Sequence, residues 1–295
     1  MIDSLDRLAK MAQAHPYWEN NESLPACLRL YRCYKKQELR ALPFYNPVVL
    51  LVLEGHKEIR IAEQQLQAQP GELLLIPGET TLWMGNCPDE KQYLGLAFNF
   101  NDKALEHFRL LYGGEQELWD LSAKWHASAP DEVLVVLQQW LSMERGFVGN
   151  AQLTQHKQVE LLLLLAQAGL AGNILMGQHP SWRQRVLKLF VLNPARDWLL
   201  ADVCKELVVS EATLRRRLKE EQTGFRELLE ETRLLCGLSL LLETMWPISR
   251  VADAVGYHSQ SRFGERFKRR FGMTPTELRA TRIEGRGEKL LVSSE

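Results

Sequence analysis

The sequence predicts an α+β protein of two domains: an antiparallel β domain with helices after it, then an all-α domain built from two helix-turn-helix units. Three observations predict this. A chain of 295 residues exceeds the roughly 100–200 residues of a single domain. Residues 26–100 alternate short β-rich runs with turn signals, the pattern of a small sandwich or barrel. Residues 200–219 and 248–268 repeat one arrangement of helix, tight turn and helix.

Bulk properties exclude several classes. With 45% hydrophobic and 25% charged residues, the chain is globular in composition, neither disordered nor fibrous. The opening Met1 to Arg7 carries Asp3 and Asp6 and no basic-then-apolar segment, so a cytoplasmic location is expected. The longest apolar run, Leu161 to Ala166, is far short of the ~20 residues that cross a bilayer, and no membrane partner is expected. Cys27, Cys33, Cys87, Cys204 and Cys236 form no C-x-x-C pair, which fits packing roles in a reducing compartment. The net charge of −1 hides an asymmetry: Lys and Arg outnumber Asp and Glu by 21 to 16 from Pro180 onward and are outnumbered by 21 to 15 before it. That excess alone does not establish a nucleic-acid partner; spacing has to.

Within the β region, Ala26 to Tyr31, Val48 to Leu53 before Glu54-Gly55, and Leu73 to Ile76 closed by Pro77-Gly78 read as strands. Barrels of this kind often enclose a ligand-sized cavity. Trp83, Tyr93 and Phe98, with Met84, are candidate effector-binding residues, although aromatic residues in strands more often form core. Past Asn101-Asp102, whose side chains can cap a helix, the period changes from two to about 3.6, with Leu105, Phe108 and Leu111 in register. Thr154 to Ala171 is apolar around most of its circumference, so burial on more than one side is expected, either against the barrel and a second copy or as an ordinary core helix. Gly169, Gly172, Gly177 and Pro180 then punctuate the chain. The expected division is a domain over 1–171, a linker over 172–181, a second domain over 182–285 and a tail over 286–295.

In the repeated unit, Val203, Leu207, Leu214 and Leu218 are spaced to face inward and lock two helices at a steep angle, as are Val251, Val255, Phe263 and Phe267. Close crossing needs a small residue, supplied by Ala252 in the second unit and by Cys204 in the first. Gly256 suits a left-handed turn position; Val208, its counterpart, does not. Ser210 and Ser259 are placed to cap the helices that follow. The outward faces then carry Thr213, Arg215, Arg216 and Lys219 in one unit, and Ser261, Arg262, Glu265, Arg266 and Arg269 in the other. Arginine can pair with guanine, Gln with adenine and Glu with the amino group of cytosine, while Lys219, Lys268 and the remaining Arg residues engage phosphates. Either run alone reads as a solvated helix face; two in tandem favour DNA. Between them, Phe225 to Glu243 carries the stripe Leu228, Leu229, Leu234, Leu235, Leu238, Leu241 and Leu242, a spacer helix of roughly 28 Å.

Residues 182–282 closely resemble the C-terminal domain of the AraC/XylS family of bacterial transcription regulators. The resemblance is carried by Val251-Ala252, Val255-Gly256-Tyr257, Ser259 to Phe263, Phe267 to Gly272 and Thr274-Pro275, with Ser210, Leu214, Arg216 and Lys219 in the first unit. Departures fall at Cys204, at Leu218 and in the loop Gln222-Thr223-Gly224-Phe225. The resemblance implies base contacts from Ala212, Arg215 and Arg216 and from Gln260, Ser261 and Glu265. It also implies a cupin- or jelly-roll-like N-terminal domain for effector binding, dimerisation or both, and a role more often activating than repressing. The partners then expected are double-stranded promoter DNA, RNA polymerase, a second copy of the chain, and a small-molecule or protein effector. The rival reading, a metal-dependent cupin enzyme, finds little support in histidines 15, 56, 107, 126, 156, 179 and 258, of which only His56 lies in the strand-rich region. Neither catalysis nor a cofactor or metal is expected.

Overall fold

The computed structural model describes residues 2–18, 24, 27–61, 64–142, 150–175 and 181–283. The chain divides into two compact units, one ending at Gly177 and rejoined by residues from Ala280 onward, the other running from Gln178 to Arg279.

The first unit holds nine strands among the described residues: β1 (Leu28–Cys33), β2 (Gln37–Phe44), β3 (Val48–Glu54), β4 (His56–Ile61), β5 (Gln64–Ala68), β6 (Glu72–Ile76), β7 (Thr80–Cys87), β8 (Tyr93–Asn99) and β9 (His126–Ser128). They form two antiparallel sheets, ordered β1-β8-β3-β6-β9 and β2-β7-β4-β5, a jelly roll with one added edge strand. The run Val48 to Leu53 is apolar throughout because both of its faces are covered. Leu50 and Val52 pack between the sheets with Ile59, Leu74, Leu82 and Tyr93. Val49, Leu51 and Leu53 point the other way, into a core shared with helices.

Those helices are α1 (Ile2–Gln13), α2 (Asp102–Tyr112), α3 (Asp131–Leu141) and α4 (Ala151–Gln167). As expected, Asn101 caps α2, its Oδ1 accepting from the Ala104 amide at 2.8 Å. Leu105 and Phe108 are buried, but Leu111 is exposed, because the buried stripe continues at Tyr112, whose ring centre lies 5.2 Å from that of Phe108. In α4, Leu161, Leu162, Leu165 and Ala166 are buried, with Leu163 and Leu164 packed partly against the same core. The start of the expected linker belongs to this unit: Gly172–Leu175 is a short helix, α5. Asn173 fastens it by donating to the carbonyls of Leu75 and Lys124, both at 2.7 Å. Residues 176–180 and 284–295 of the expected linker, second domain and tail lie outside the described residues.

The second unit is helical: α6 (Trp182–Leu192), α7 (Leu200–Leu207), α8 (Glu211–Glu220), α9 (Phe225–Glu243), α10 (Ile248–Ala254), α11 (Gln260–Phe271) and α12 (Pro275–Ala280). No helix among the described residues is long and apolar enough to cross a membrane.

Candidate nucleic-acid interface

Each helix-turn-helix unit is built as its residue spacing requires. Val203, Leu214 and Leu218 are buried in the first and Val251, Val255, Phe263 and Phe267 in the second, while Leu207 is half-buried. Cys204 and Ala252, at the crossing points, are both buried. Burial raises the Cys204 thiol above its ordinary range, as does the Glu211 carboxylate, so the sulfur stays neutral and fills space as a methyl group would.

The two turns share one hydrogen-bond plan. Val209 N donates to Cys204 O at 3.0 Å, and Tyr257 N to Ala252 O at 2.9 Å. Both chains pass through the left-handed region just before these donors, at Val208 (φ 55°) and Gly256 (φ 84°). At Gly256 a side chain would also meet the Arg233 guanidinium at 2.9 Å. The helices that follow are capped in the same way: Ser210 Oγ accepts from the Thr213 amide at 3.2 Å and Ser259 Oγ from the Arg262 amide at 3.3 Å.

These caps set the outward faces of α8 and α11. Ala212, Arg215, Arg216 and Lys219 are exposed on α8, and Gln260, Ser261, Arg262, Glu265, Lys268 and Arg269 on α11. Two of the expected contact residues also make contacts within the domain. Thr213 is half-buried, and its hydroxyl lies 2.9 Å from Ser210 Oγ at the cap. Arg266 is half-buried and pairs with Glu230 at 3.5 Å. Several exposed arginines are preset by acids on their own helix: Arg216 by Glu220 at 2.8 Å and Arg215 by Glu211 at 3.5 Å. Exposed pairs of this kind contribute at most ~0.5 kcal/mol, so a phosphate or base edge can displace them.

Helix α9 is tied directly to the second unit and, through α6, to the first, where the Glu221 carboxylate at the end of α8 accepts from the Trp182 and Arg183 amides at 2.9 and 2.8 Å. On α9, Glu231 accepts from Arg183 of α6 and from Arg270 of α11, both at 2.6 Å. Glu230 meets Arg266, and Arg269 at 3.7 Å. Gly237 of α9 lets the Phe263 ring approach so closely that a β-carbon there would lie 2.8 Å from it.

A cleft of about 720 Å³ adjoins the first recognition helix, lined among others by Arg215, Lys219, Thr223, Gly224, Phe225 and Arg226. Gly224 precedes α9 without a side-chain cap, which leaves the first amides of that helix available to an anion. Sequence reasoning treated Gln222 to Phe225 as a departure from the family pattern and missed this feature; the Gly before an uncapped helix start was the available signal. The candidate effector residues are not brought together. Tyr93 and Phe98, five residues apart on β8, point to opposite faces of the strand and into different cores. Trp83 lies instead under the Arg60 guanidinium, 4.1 Å from its ring centre.

Two helix-turn-helix units on one connecting helix, in a chain that also carries a jelly roll, define a two-domain helix-turn-helix protein. The Helix-turn-helix domain family matches residues 203–281, and the family described as AraC-type transcriptional regulator N-terminus matches residues 26–110. These matches support an AraC-type transcriptional regulator, similar to that family in both of its domains. It is 39% identical over 107 residues to the HTH-type transcriptional regulator GadX of Escherichia coli O157:H7, an alignment covering 36% of this chain and 39% of GadX. It thus spans about two fifths of that relative. The HTH-type transcriptional activator CsvR of Escherichia coli is 27% identical over 201 residues, 64% of this chain and 72% of CsvR. In fold the chain resembles ToxT of Vibrio cholerae, solved with an unsaturated fatty acid bound, at a TM-score of 0.60 and 15% identity over 86% of this chain and 94% of ToxT. The cupin-enzyme alternative finds no support in these relatives, which are named as regulators.

Proposed function

We propose that this protein binds double-stranded promoter DNA with both units and regulates transcription, as an activator acting on RNA polymerase in the cytoplasm. The observation that carries this reading is the pairing of two capped helices, α8 and α11, each with a buried apolar face and an exposed face rich in Arg and Lys. In this reading each enters a major groove of one duplex, with α9, roughly 28 Å long, between them; successive grooves on one face of DNA are ~34 Å apart. Arg215, Arg216, Gln260, Ser261, Arg262 and Glu265 read base edges, and Ala212 offers a methyl contact. Lys219, Lys268 and Arg269 hold phosphates. Thr213 and Arg266 position their helices.

The N-terminal domain serves dimerisation and signal reception. The jelly-roll fold shared with ToxT, a protein solved with a bound fatty acid, supports a small-molecule effector. Sequencing of duplexes selected by the purified protein identifies the operator. Arg216→Ala and Arg262→Ala each weaken footprints on that operator, in different half-sites, and unchanged footprints in both variants refute the helix assignment. Binding falls steeply with salt as phosphate contacts exchange with counterions.

A further inference from the structure

A cluster on the outer side of the four-stranded sheet lies apart from everything above. His56 of β4 and Cys87 of β7 are a direct cross-strand pair, and Glu58, two residues along β4, shares their face. One ligand atom from each of the three lies within 4.8 Å of the others, with His56 Nε2 3.8 Å from Glu58 Oε1. Cys87 is buried, and the other two are largely sheltered. The opposite nitrogen, His56 Nδ1, is 3.0 Å from Asp89 Oδ1. With that carboxylate ionised, Nδ1 carries the proton and donates it, which leaves the Nε2 lone pair directed at the space shared with Glu58 and Cys87. A second carboxylate holding the far nitrogen is how proteins orient a metal-binding histidine and raise its basicity. Lys36 engages the other Glu58 oxygen, Oε2, at 3.4 Å, so Oε1 is the one that faces the histidine. A cavity of about 370 Å³, lined by Tyr34, Lys36, Pro88 and Asp89 with the three side chains, opens over them.

We propose that His56 Nε2, a Glu58 carboxylate oxygen and Cys87 Sγ form a three-ligand site for a divalent cation of the zinc class, with the cavity giving entry and room for a fourth ligand from solvent. Sulfur with imidazole nitrogen selects against calcium and magnesium, which prefer oxygen. A thiolate and a carboxylate neutralise the doubly charged ion, and a neutral imidazole completes the set. Ligand atoms 2.0–2.3 Å from a tetrahedral ion stand roughly 3.5 Å apart, so the three side chains close by about 1 Å, within the reach of χ rotations. An ion held there clamps β4 to β7 at the point where the chain leaves β7. A surface ion pair would not require the buried sulfur. The site does not rest on the DNA-binding reading.

Cobalt(II), titrated into the metal-stripped full-length protein, tests this, because a cobalt–thiolate bond absorbs in the near ultraviolet. One equivalent is expected to develop that band, and one equivalent of zinc to erase it, with millimolar magnesium or calcium without effect. Cys87→Ser and His56→Gln lose the band, while Cys236→Ser keeps it. Asp89→Asn, at an exposed position, keeps all three ligands and weakens cobalt binding ~10–100-fold, so the test does not depend on the folding of the Cys87 variant. Absence of a band in the wild type, its persistence in Cys87→Ser, or unchanged affinity in Asp89→Asn overturns the proposal.

Discussion

Replacing Val208 with glycine should stabilise the first helix-turn-helix unit, against the usual direction of a large-to-small change. Val208 sits at φ 55°, ψ 50°, the left-handed position that ends α7. For an L-residue this conformation costs ~1–2 kcal/mol, and a branched β-carbon lies at the upper end. Glycine is free of that strain, but its unfolded chain has more freedom to lose, ~0.5–1 kcal/mol. Val208 is 88% exposed, so removing its side chain forfeits only ~0.3 kcal/mol of apolar burial. The hydrogen bonds of the turn come from backbone amides, Val208 to Lys205 O and Val209 to Cys204 O, and are untouched. The net expectation is a gain of ~0.5–1 kcal/mol, a rise of a few degrees in the unfolding temperature of a domain of this size. Urea unfolding of the full chain, followed by circular dichroism, measures it as a higher midpoint at unchanged slope. Val208→Asn, which tolerates the left-handed region without glycine's freedom, should gain at least as much. A lower midpoint in both variants refutes the strain argument.

Gly237→Ala should cost ~1–3 kcal/mol, because its β-carbon would stand 2.8 Å from the Phe263 ring in a packed core; chemical unfolding and DNA retention together report it. Glu231→Gln removes the charge that Arg183 and Arg270 share at 2.6 Å, with an expected loss of ~1–3 kcal/mol that shrinks in high salt. Burial lowers the Lys57 amine from 10.5 to about 7. At this site the unfolded chain then binds more protons between pH 7 and 10.5, so Lys57 contributes a rise in stability with pH of up to ~1.4 kcal/mol per unit and its full cost is present below pH 7. Above about pH 9 the thiols of Cys27, Cys33 and Cys236, which burial raises, oppose that rise. Lys57→Met should abolish the rise between pH 7 and about 9 and stabilise the protein at neutral pH, as unfolding midpoints over a pH series will show.

The helical domain was legible because its signals are local. The caps at Ser210 and Ser259, the spacing from Leu214 to Leu218 and from Phe263 to Phe267, and the stripe along Phe225 to Glu243 each act within a few turns of helix. Strand β4 was harder to read. Its polar residues His56, Lys57 and Glu58 are consecutive and mark no buried face, yet Lys57 points into the sandwich, where the Asn86 side-chain oxygen accepts from it and the Tyr93 hydroxyl lies at 3.3 Å. The cluster of His56 and Cys87 arises from register between strands, and the 31 positions separating them in sequence carry no trace of it. Register parity also separates Tyr93 from Phe98. Their aromatic character was visible in the sequence, but which face each would take depended on where β8 begins.

The clasp at Glu231 has a consequence for promoters. With α11 held to α9 directly, and α8 held to it through α6 by the Glu221 carboxylate, the proposed reading heads form a ruler of fixed length and fixed twist, unlike a pair joined by a loose tether. An operator lengthened by half a helical repeat between its subsites would turn one of them to the far side of the duplex, whereas a full added repeat would preserve facing but exceed the reach. Sites for this regulator should therefore tolerate changes of base far better than changes of spacing.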